Sequence, residues 1–364
     1  MVTFAERFSP RRNAFDILRL ALALTVACCH LVAIGYGWQP KWASGLTLSG
    51  LGVHGFFVLS GFLVTRSYLT LDSFPRFAWH RFLRIMPAFW VCLLVTAFAV
   101  APIMAAIEGR AVLSIFWGAN SSLTYVLSNA FLAIFQSGIS GLLSTTPIPE
   151  DVDVALWSLA FEAVCYSMVA LLGVLAVLRK RRWVVLAMGA VLWGTTIVQE
   201  ITAPLPHAIA LPLSLVNLFV LGMIGYLYRN WIPAHGLIAL ASLAVFLLCT
   251  FTLKDYQAAG APAFAYLLLW FGACSPLRVR VRNDFSYGVY IYHWPVLQVL
   301  ALAGVATASP PLFVLAGVLL IGALATASWF AVERPALARR HSAFPDRVAA
   351  RVRRREPELN GAGG

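Results

Sequence analysis

The feature that most constrains this chain is a series of apolar runs of roughly 20 residues, separated by short polar loops. A helix of that length can cross a bilayer, and the outer faces of such helices are covered by lipid. Only 12% of the residues are charged, about half the share found in soluble domains. The sequence therefore predicts an all-α polytopic membrane protein with about ten transmembrane helices. These are predicted at residues 14–36, 46–66, 84–106, 154–178, 183–200, 208–228, 236–252, 259–276, 285–306 and 311–331.

The distribution of basic residues predicts how the chain is oriented. All but three of the 27 Lys and Arg residues fall on one side, the exceptions being Lys41, Arg110 and Lys254. Short positive loops face the cytoplasm, so both termini are predicted to be cytoplasmic. The net charge of +12 would suggest a nucleic-acid partner for a soluble protein. Here the basic residues cluster in short loops between apolar runs, a pattern that sets the orientation of the chain in the membrane. No nucleic-acid partner is therefore expected.

Residues 112–136 are apolar enough to suggest an eleventh span, but counting them would place most basic residues outside. Their apolar positions recur at helical spacing between Leu123 and Phe135, with polar residues such as Asn129 opposite. We predict an amphipathic helix on the outer surface. It belongs to a long outer loop, 107–153, of a kind that often forms a lid or a binding platform.

The rest of the chain offers no second domain. Residues 1–340 are predicted to form a single integral-membrane domain, followed by a basic, disordered cytoplasmic tail over residues 341–364. The six cysteines lie in apolar runs and lack the spacing of metal ligands. We expect neither a disulfide framework nor a metal site.

Two strong bases lie within the first apolar run. Arg19 and His30 are eleven residues apart, close to three helical turns, so they share one face at a separation of about 16 Å. Arg19 is close enough to the cytoplasmic boundary to extend to lipid phosphates, whereas His30 is too deep for that. Ionisable groups at such depth usually face a cavity or a site. His30 is either a satisfied core histidine or a general base for a hydroxyl nucleophile.

Further polar residues could complete a site. Ser60 lies in a Gly-rich stretch that suits close helix packing, and it could also bond a ligand. Arg81 and Arg84, at positions i and i+3 at the start of a span, either signal orientation or clamp the phosphates of a cytosolic donor or an anionic lipid. Glu162 is a lone carboxylate in a span, able to orient an imidazole, bind an acceptor hydroxyl or satisfy a buried donor.

The last two spans contribute four more residues of interest. His293 lies mid-span, and Pro295 frees backbone carbonyls that can accept polar partners. Tyr287 belongs either to the site or to an aromatic belt at the membrane interface. Glu333, at the inner boundary, either pairs with a basic loop or takes part in chemistry.

Taken together, these residues resemble the acyltransferase-3 family of bacterial membrane-bound O-acyltransferases. The matching blocks stand in the family's order from about residue 12 to 336. They are R-x10-H (Arg19, His30), FFVLSGFL (Phe56 to Leu63), R-x-x-R (Arg81, Arg84), WSL followed by Glu162, SYGVYIYHWP (Ser286 to Pro295) and ERP (Glu333 to Pro335).

The resemblance implies an acyltransferase domain in the bacterial cytoplasmic (inner) membrane. Family members move an acyl group, commonly acetyl, from cytosolic acyl-CoA to a hydroxyl of a cell-surface polysaccharide, lipopolysaccharide or glycolipid. His30 resembles the catalytic histidine, and Arg19, Arg81 and Arg84 resemble donor-side residues. Two departures concern the acceptor: the acidic residue that often precedes FFVLSGF is replaced around His54, and the common second Glu after Glu162 is Ala163.

The resulting hypothesis is an O-acetyltransferase with acetyl-CoA as donor substrate, a carbohydrate or glycolipid acceptor and membrane lipids as partners. Two alternatives stay open. The acceptor could be a small molecule such as a macrolide, or the protein could be a transporter or flippase, although the internal repeats expected of a carrier are not visible.

Overall fold

The computed structural model describes residues 2–342 except residues 11, 40, 43, 204 and 276–282. Across this part of the chain the protein is all-helical, with no β-strand. The prediction of an all-α polytopic membrane protein is thereby confirmed. All but the first two residues of the predicted tail lie outside the described residues.

Within the described residues, ten helices have at least 17 residues. Eight of them are long and apolar enough to cross a membrane, and the other two have 17 residues each, about 25 Å. The ten are α1 (Phe15–Tyr36), α2 (Leu48–Leu71), α3 (Phe74–Ile107), α4 (Val154–Val174), α5 (Trp183–Ile201), α6 (His207–Leu227), α7 (Gly236–Thr252), α8 (Gln257–Cys274), α9 (Ser286–Leu302) and α10 (Pro310–Ala338).

Helix α3 differs most from its predicted bounds. It begins at Phe74, ten residues before the predicted start at residue 84, after Ser73 and with Pro75 in its first turn, where proline is tolerated. Arg81 and Arg84 therefore lie two to three turns inside the helix, and their placement at its start is wrong. The sequence pattern failed here because basic residues interrupt the apolar run, although a helix continues wherever such residues find polar partners.

Two helices widen locally into a π-helical turn. In α3 this turn spans Thr96–Val100 and is followed by Pro102, and in α10 it spans Trp329–Glu333 and is followed by Pro335. A proline in a helix cannot donate to the carbonyl four residues earlier and its ring collides with it, so a wider turn relieves the clash. In α10 the wider turn carries Glu333.

The predicted outer helix over residues 112–136 is much shorter than expected. Only Ser122–Asn129 is α-helical, after a short 3-10 turn at Val112–Phe116. The Asn129 side chain accepts from the backbone N–H groups of Phe135 and Gln136 and donates to the Gln136 carbonyl, which turns the chain back on itself. These side-chain hydrogen bonds of Asn129 end the helix, although the spacing of the apolar residues alone predicts that it continues.

Small residues let two central helices approach closely, as the Gly-rich stretch predicted. Helices α2 and α6 pack at Gly61 and Gly222, where an added Cβ would collide with the backbone carbonyls of Phe219 and Val58. Helix α9 packs between α1 and α10, so His30 and His293 face each other across one helix interface.

Candidate active site

Two histidines from different helices meet in the interior. His30 Nδ1 and His293 Nε2 are 2.7 Å apart, and the two rings are nearly parallel with centroids 5.0 Å apart. The Trp294 ring lies edge-on to His30 at a centroid distance of 4.8 Å. His293 is fully buried, whereas His30 keeps partial exposure. This pair is the strongest candidate for chemistry in the described residues.

The hydrogen bonds fix which ring nitrogens carry protons. His293 Nδ1 lies 2.7 Å from the carbonyl oxygen of Tyr290, which can only accept, so Nδ1 carries the proton. In a neutral ring Nε2 is then an acceptor, and it accepts a hydrogen bond from His30 Nδ1–H. His30 Nε2 is left unprotonated and has no hydrogen-bond partner among the described residues. The arrangement presents a lone pair suited to a general base.

The local structure of α9 holds His293 in place. Pro295 has no N–H, so the Ile291 carbonyl is free, and it accepts from the Cys92 thiol at 3.3 Å, as freed carbonyls were predicted to do. One turn further on, Gln298 donates to the Asp151 carbonyl at 2.8 Å, and Trp294 donates to the same oxygen at 3.0 Å. The loop between α3 and α4 is thereby fastened to the helix that carries His293.

A cluster of charges lies about two turns from the histidines along α9. One oxygen of Asp284, Oδ2, accepts from Arg19 at 2.8 Å and from Arg84 at 2.7 Å. The other oxygen accepts from the hydroxyl and the backbone N–H of Ser286. Arg84 also lies 3.9 Å from Glu333, which accepts from Ser328 at 3.0 Å. One carboxylate therefore holds two guanidiniums beside the start of α9.

Asp284 remains charged in this setting. Burial by itself would raise its pKa, but Arg19 and Arg84 act in the opposite direction and, with the Ser286 hydrogen bonds, hold the pKa of Asp284 below its ordinary value. The cluster thus sets two guanidiniums, of Arg19 and Arg84, against two carboxylates, of Asp284 and Glu333.

Glu162 belongs to this charged region and not to the histidine pair. Its Oε1 accepts from Ser60 at 3.1 Å and from the Tyr166 hydroxyl. His30 is oriented by His293, so the prediction that Glu162 could orient the imidazole is wrong for this structure. Two roles weighed for it stay predictions: binding an acceptor hydroxyl and satisfying buried donors.

Two small cavities adjoin the charged cluster, and neither is lined by His30 or His293. One, of about 70 Å³, is lined by Arg81, Arg84 and Tyr166 among others, and the next, of about 50 Å³, reaches Ser158 and Tyr290. Both are lined by Arg19, Ser60, Glu162 and Tyr287. The Tyr290 ring centroid lies 6.0 Å from that of His293. These two cavities, which we call the polar passage, are lined by Tyr, Ser and Glu oxygens, and the smaller one also by apolar residues such as Val53 and Phe57.

The side chains of Arg81 and Arg84 lie in different environments. Arg84 is paired with carboxylates and stacks over the Tyr287 ring at 5.7 Å, and the Tyr287 hydroxyl donates to the Ile85 carbonyl at 3.0 Å. Arg81 has no carboxylate within 4 Å among the described residues. Its guanidinium lies over the Tyr166 ring at 5.5 Å.

Sequence reasoning missed Asp284 and Tyr166 in this region, and it considered Tyr290 only as part of an aromatic interface belt. Asp284 directly precedes α9, and a carboxylate at the start of an apolar helix rich in tyrosine was a usable signal. Tyr166 follows Glu162 by one helical turn, a spacing at which side chains meet. Nothing in the sequence marked His54 as the partner of the Tyr256 hydroxyl, 2.9 Å away and outside the site.

Comparison with known proteins decides the family. A family model described as "Acyltransferase domain" matches residues 12–332, nearly the whole chain. The chain belongs to the acyltransferase-3 family. The resemblance drawn from R-x10-H and the later blocks is therefore confirmed, and so is the prediction of an O-acyltransferase.

Two curated relatives of this acyltransferase-3 protein align over most of their length. An "O-acetyl transferase" of Shigella phage Sf6 is 26% identical over 303 residues, which cover 80% of this chain and 86% of the relative. "Nodulation protein 10" of Rhizobium leguminosarum bv. viciae is 27% identical over 368 residues, covering 94% and 98%. No solved structure matches the chain.

Proposed function

We propose that this acyltransferase moves an acetyl group from cytosolic acetyl-CoA to a hydroxyl of a cell-surface polysaccharide, lipopolysaccharide or glycolipid in the bacterial inner membrane. The observation that carries the proposal is the hydrogen-bonded pair His30–His293, which leaves His30 Nε2 as a free base. The name of the phage relative, O-acetyl transferase, supports acetyl as the group transferred.

The donor would bind at the basic end of the passage. Arg81, Arg84 and Arg19 supply guanidiniums that match phosphate oxygens, and Ser60 and Glu162 line the adjoining cavity. The acyl-bearing arm would then follow the polar face of α9 from Ser286 past Tyr290 to His293, about 10 Å along the helix. Tyr287 and Glu333 would hold the Arg84 side chain toward the cavity.

His30 would act on the acceptor hydroxyl. Its Nε2 takes the hydroxyl proton as the acceptor oxygen forms a bond to the thioester carbonyl carbon, and the carbon–sulfur bond breaks. The proton then passes from His30 to the CoA sulfur, so that an ester and free CoA leave. Throughout, the Nδ1–H group of His30 would stay hydrogen-bonded to His293 Nε2. This bond would keep the His30 ring oriented and stabilise its protonated form. A route in which His30 itself carries the acyl group uses the same nitrogen.

The test is release of free CoA by purified protein in proteoliposomes supplied with acetyl-CoA and an acceptor glycan. His30→Ala should abolish acceptor-dependent release without changing the elution volume or the circular dichroism spectrum. His207→Ala is the matched control, because His207 is an exposed histidine at the start of α6. Undiminished release by His30→Ala would remove this histidine from the mechanism. Mass spectrometry of surface glycans with and without the gene would identify the acceptor by the loss of one acyl mass.

A further inference from the structure

A second binding space lies on the outer flank of the bundle, between α3 and α4. This α3–α4 groove has a volume of about 640 Å³, within the range of about 300–1,000 Å³ typical of ligand sites. It is distinct from the polar passage, although both are lined by Arg81, Ile85 and Tyr166.

The residues that form the groove repeat at helical spacing. From α3 come Phe74, Phe77, Ala78, Arg81, Phe82, Ile85 and Met86, and from α4 come Ala163, Tyr166, Ser167, Ala170, Leu171 and Val174; Leu132 lies at one end. Small side chains on α4, chiefly Ala163, Ser167 and Ala170, leave the space open. The walls are almost wholly apolar, so water would find few hydrogen-bond partners in the groove. A hydrocarbon chain suits such a space.

The length of the groove matches one lipid tail. From Ala163 to Val174, helix α4 rises about 16 Å, and one leaflet of the hydrocarbon core is about 15 Å thick. Its rim is open where lipid would lie, since Leu171 is 59% exposed and Val174 is 60% exposed.

Positive charge surrounds the mouth of the groove. Arg179, Lys180, Arg181 and Arg182 follow Val174 closely and are all exposed. Asp72, two residues before Phe74, bonds Arg179 at 2.7 Å, which draws this basic segment to the first turn of α3. Lys180 and Arg181 have no carboxylate within 4 Å among the described residues. A negatively charged headgroup would meet them as its tail enters the groove.

We infer that the α3–α4 groove binds one acyl chain of an anionic membrane phospholipid, whose headgroup lies against the basic segment 179–182. The bound chain packs against the Arg81 stem and the Tyr166 ring from the lipid side. It thereby completes the wall between the membrane and the polar passage.

The experiment is native mass spectrometry of delipidated protein, titrated with phosphatidylglycerol or phosphatidylcholine. Wild-type protein should retain one phosphatidylglycerol in strong preference to phosphatidylcholine. Ala170→Trp fills the groove and should lose that bound lipid, whereas Val164→Trp, on the same helix at an exposed position outside the groove, should keep it. If Ala170→Trp does not fold, Ser167→Phe serves the same purpose.

The headgroup contact has its own variant pair. K180Q/R181Q should weaken phosphatidylglycerol binding about 30-fold, while K41Q/K254Q, which removes the same charge from exposed residues elsewhere, should leave it unchanged. Equal retention of the two lipids, or retention of phosphatidylglycerol by the groove-filling variants, would overturn the inference. Because the readout is lipid mass, the result is independent of acyl transfer.

Discussion

At the scale of single residues, the site depends on two contacts that each join distant parts of the chain. His30 and His293 are 263 residues apart in sequence, and Arg19 and Asp284 are 265 apart. In each pair one partner fixes what the other can do: His293 sets the tautomer of His30, and Asp284 sets the position of Arg19. The first pair joins α1 to the middle of α9, and the second joins α1 to the segment just before α9. Removing the first should affect catalysis, and removing the second should affect stability.

Replacing His293 should slow catalysis while leaving donor binding intact. His293→Phe removes the acceptor for His30 Nδ1–H, so the imidazole is free to rotate or change tautomer, and kcat should fall about 100-fold or more with KM for acetyl-CoA unchanged. His293→Gln keeps an acceptor oxygen and should recover part of that loss. Steady-state CoA release measures both constants. An equal loss in both variants would show that His293 does not act through an accepted hydrogen bond.

Replacing Asp284 should destabilise the fold. In Asp284→Asn the Arg19 and Arg84 guanidiniums lose their shared anion. Because these pairs are partly buried, the cost should lie between about 1 kcal/mol, as for an exposed pair, and about 3–5 kcal/mol, as for a buried one. Asp72→Asn is the control, since its pair with Arg179 is 70% and 47% exposed and such pairs contribute about 1 kcal/mol or less. Denaturant unfolding in detergent measures the difference. A similar loss in both variants would contradict a special role for Asp284.

The pH dependence of that stabilisation follows from the direction of the shift. The pKa of Asp284 is lower in the folded protein than in the unfolded chain, so its contribution is fully present above the unfolded value, near 3.8, and is lost as pH falls below it. The gap in stability between wild type and Asp284→Asn should therefore narrow as pH falls below about 3.8. A gap that does not narrow there would mean that another group carries the effect.

At the scale of helices, much of the fold was readable because apolar length is a strong signal. All ten predicted spans contain a helix, and the Gly-rich stretch from Gly50 to Gly61 does allow close packing. The bounds of α3 and the outer helix could not be read, because they depend on partners elsewhere: Asp284 for Arg84, and backbone groups of the loop for Asn129. For the site, Arg19 and His30 showed a shared face, but only tertiary contacts could reveal which residue each one bonds.

The packing of α2 against α6 supplies a test at this scale. Gly61→Ala places a methyl group against the Phe219 backbone, which cannot move aside, so the free energy of unfolding should fall by about 1–3 kcal/mol. Gly322→Ala in α10, where an added Cβ meets nothing within 4 Å, should be neutral or slightly stabilising. Unfolding of both variants by denaturant compares them directly. Tolerance of Ala at position 61 would show that α2 and α6 do not pack so closely.

At the scale of the whole molecule, the two ends of the bundle differ in charge and in form. The basic segment 179–182 and Arg229 lie at one end, and the long loop between α3 and α4 carries exposed apolar side chains such as Phe131 and Phe135 at the other. The charged cluster lies beside the start of α9, while the loop is fastened beside His293 through Asp151. Such asymmetry suits an enzyme that takes its donor from one side of a membrane and its acceptor from the other.

This sidedness predicts where tags and substrates can reach the protein. Ten membrane crossings would place both termini on the same side, and the concentration of Lys and Arg at the basic end predicts that this side is the cytoplasm. A tag inserted after Gly118, an exposed turn residue with open space around it, should bind antibody on intact spheroplasts, and a C-terminal tag only after permeabilisation. Acetyl-CoA should be consumed when supplied to inside-out vesicles but not to right-side-out ones. Labelling of both tags from one side would contradict ten crossings, and consumption in right-side-out vesicles would place the donor site at the loop end.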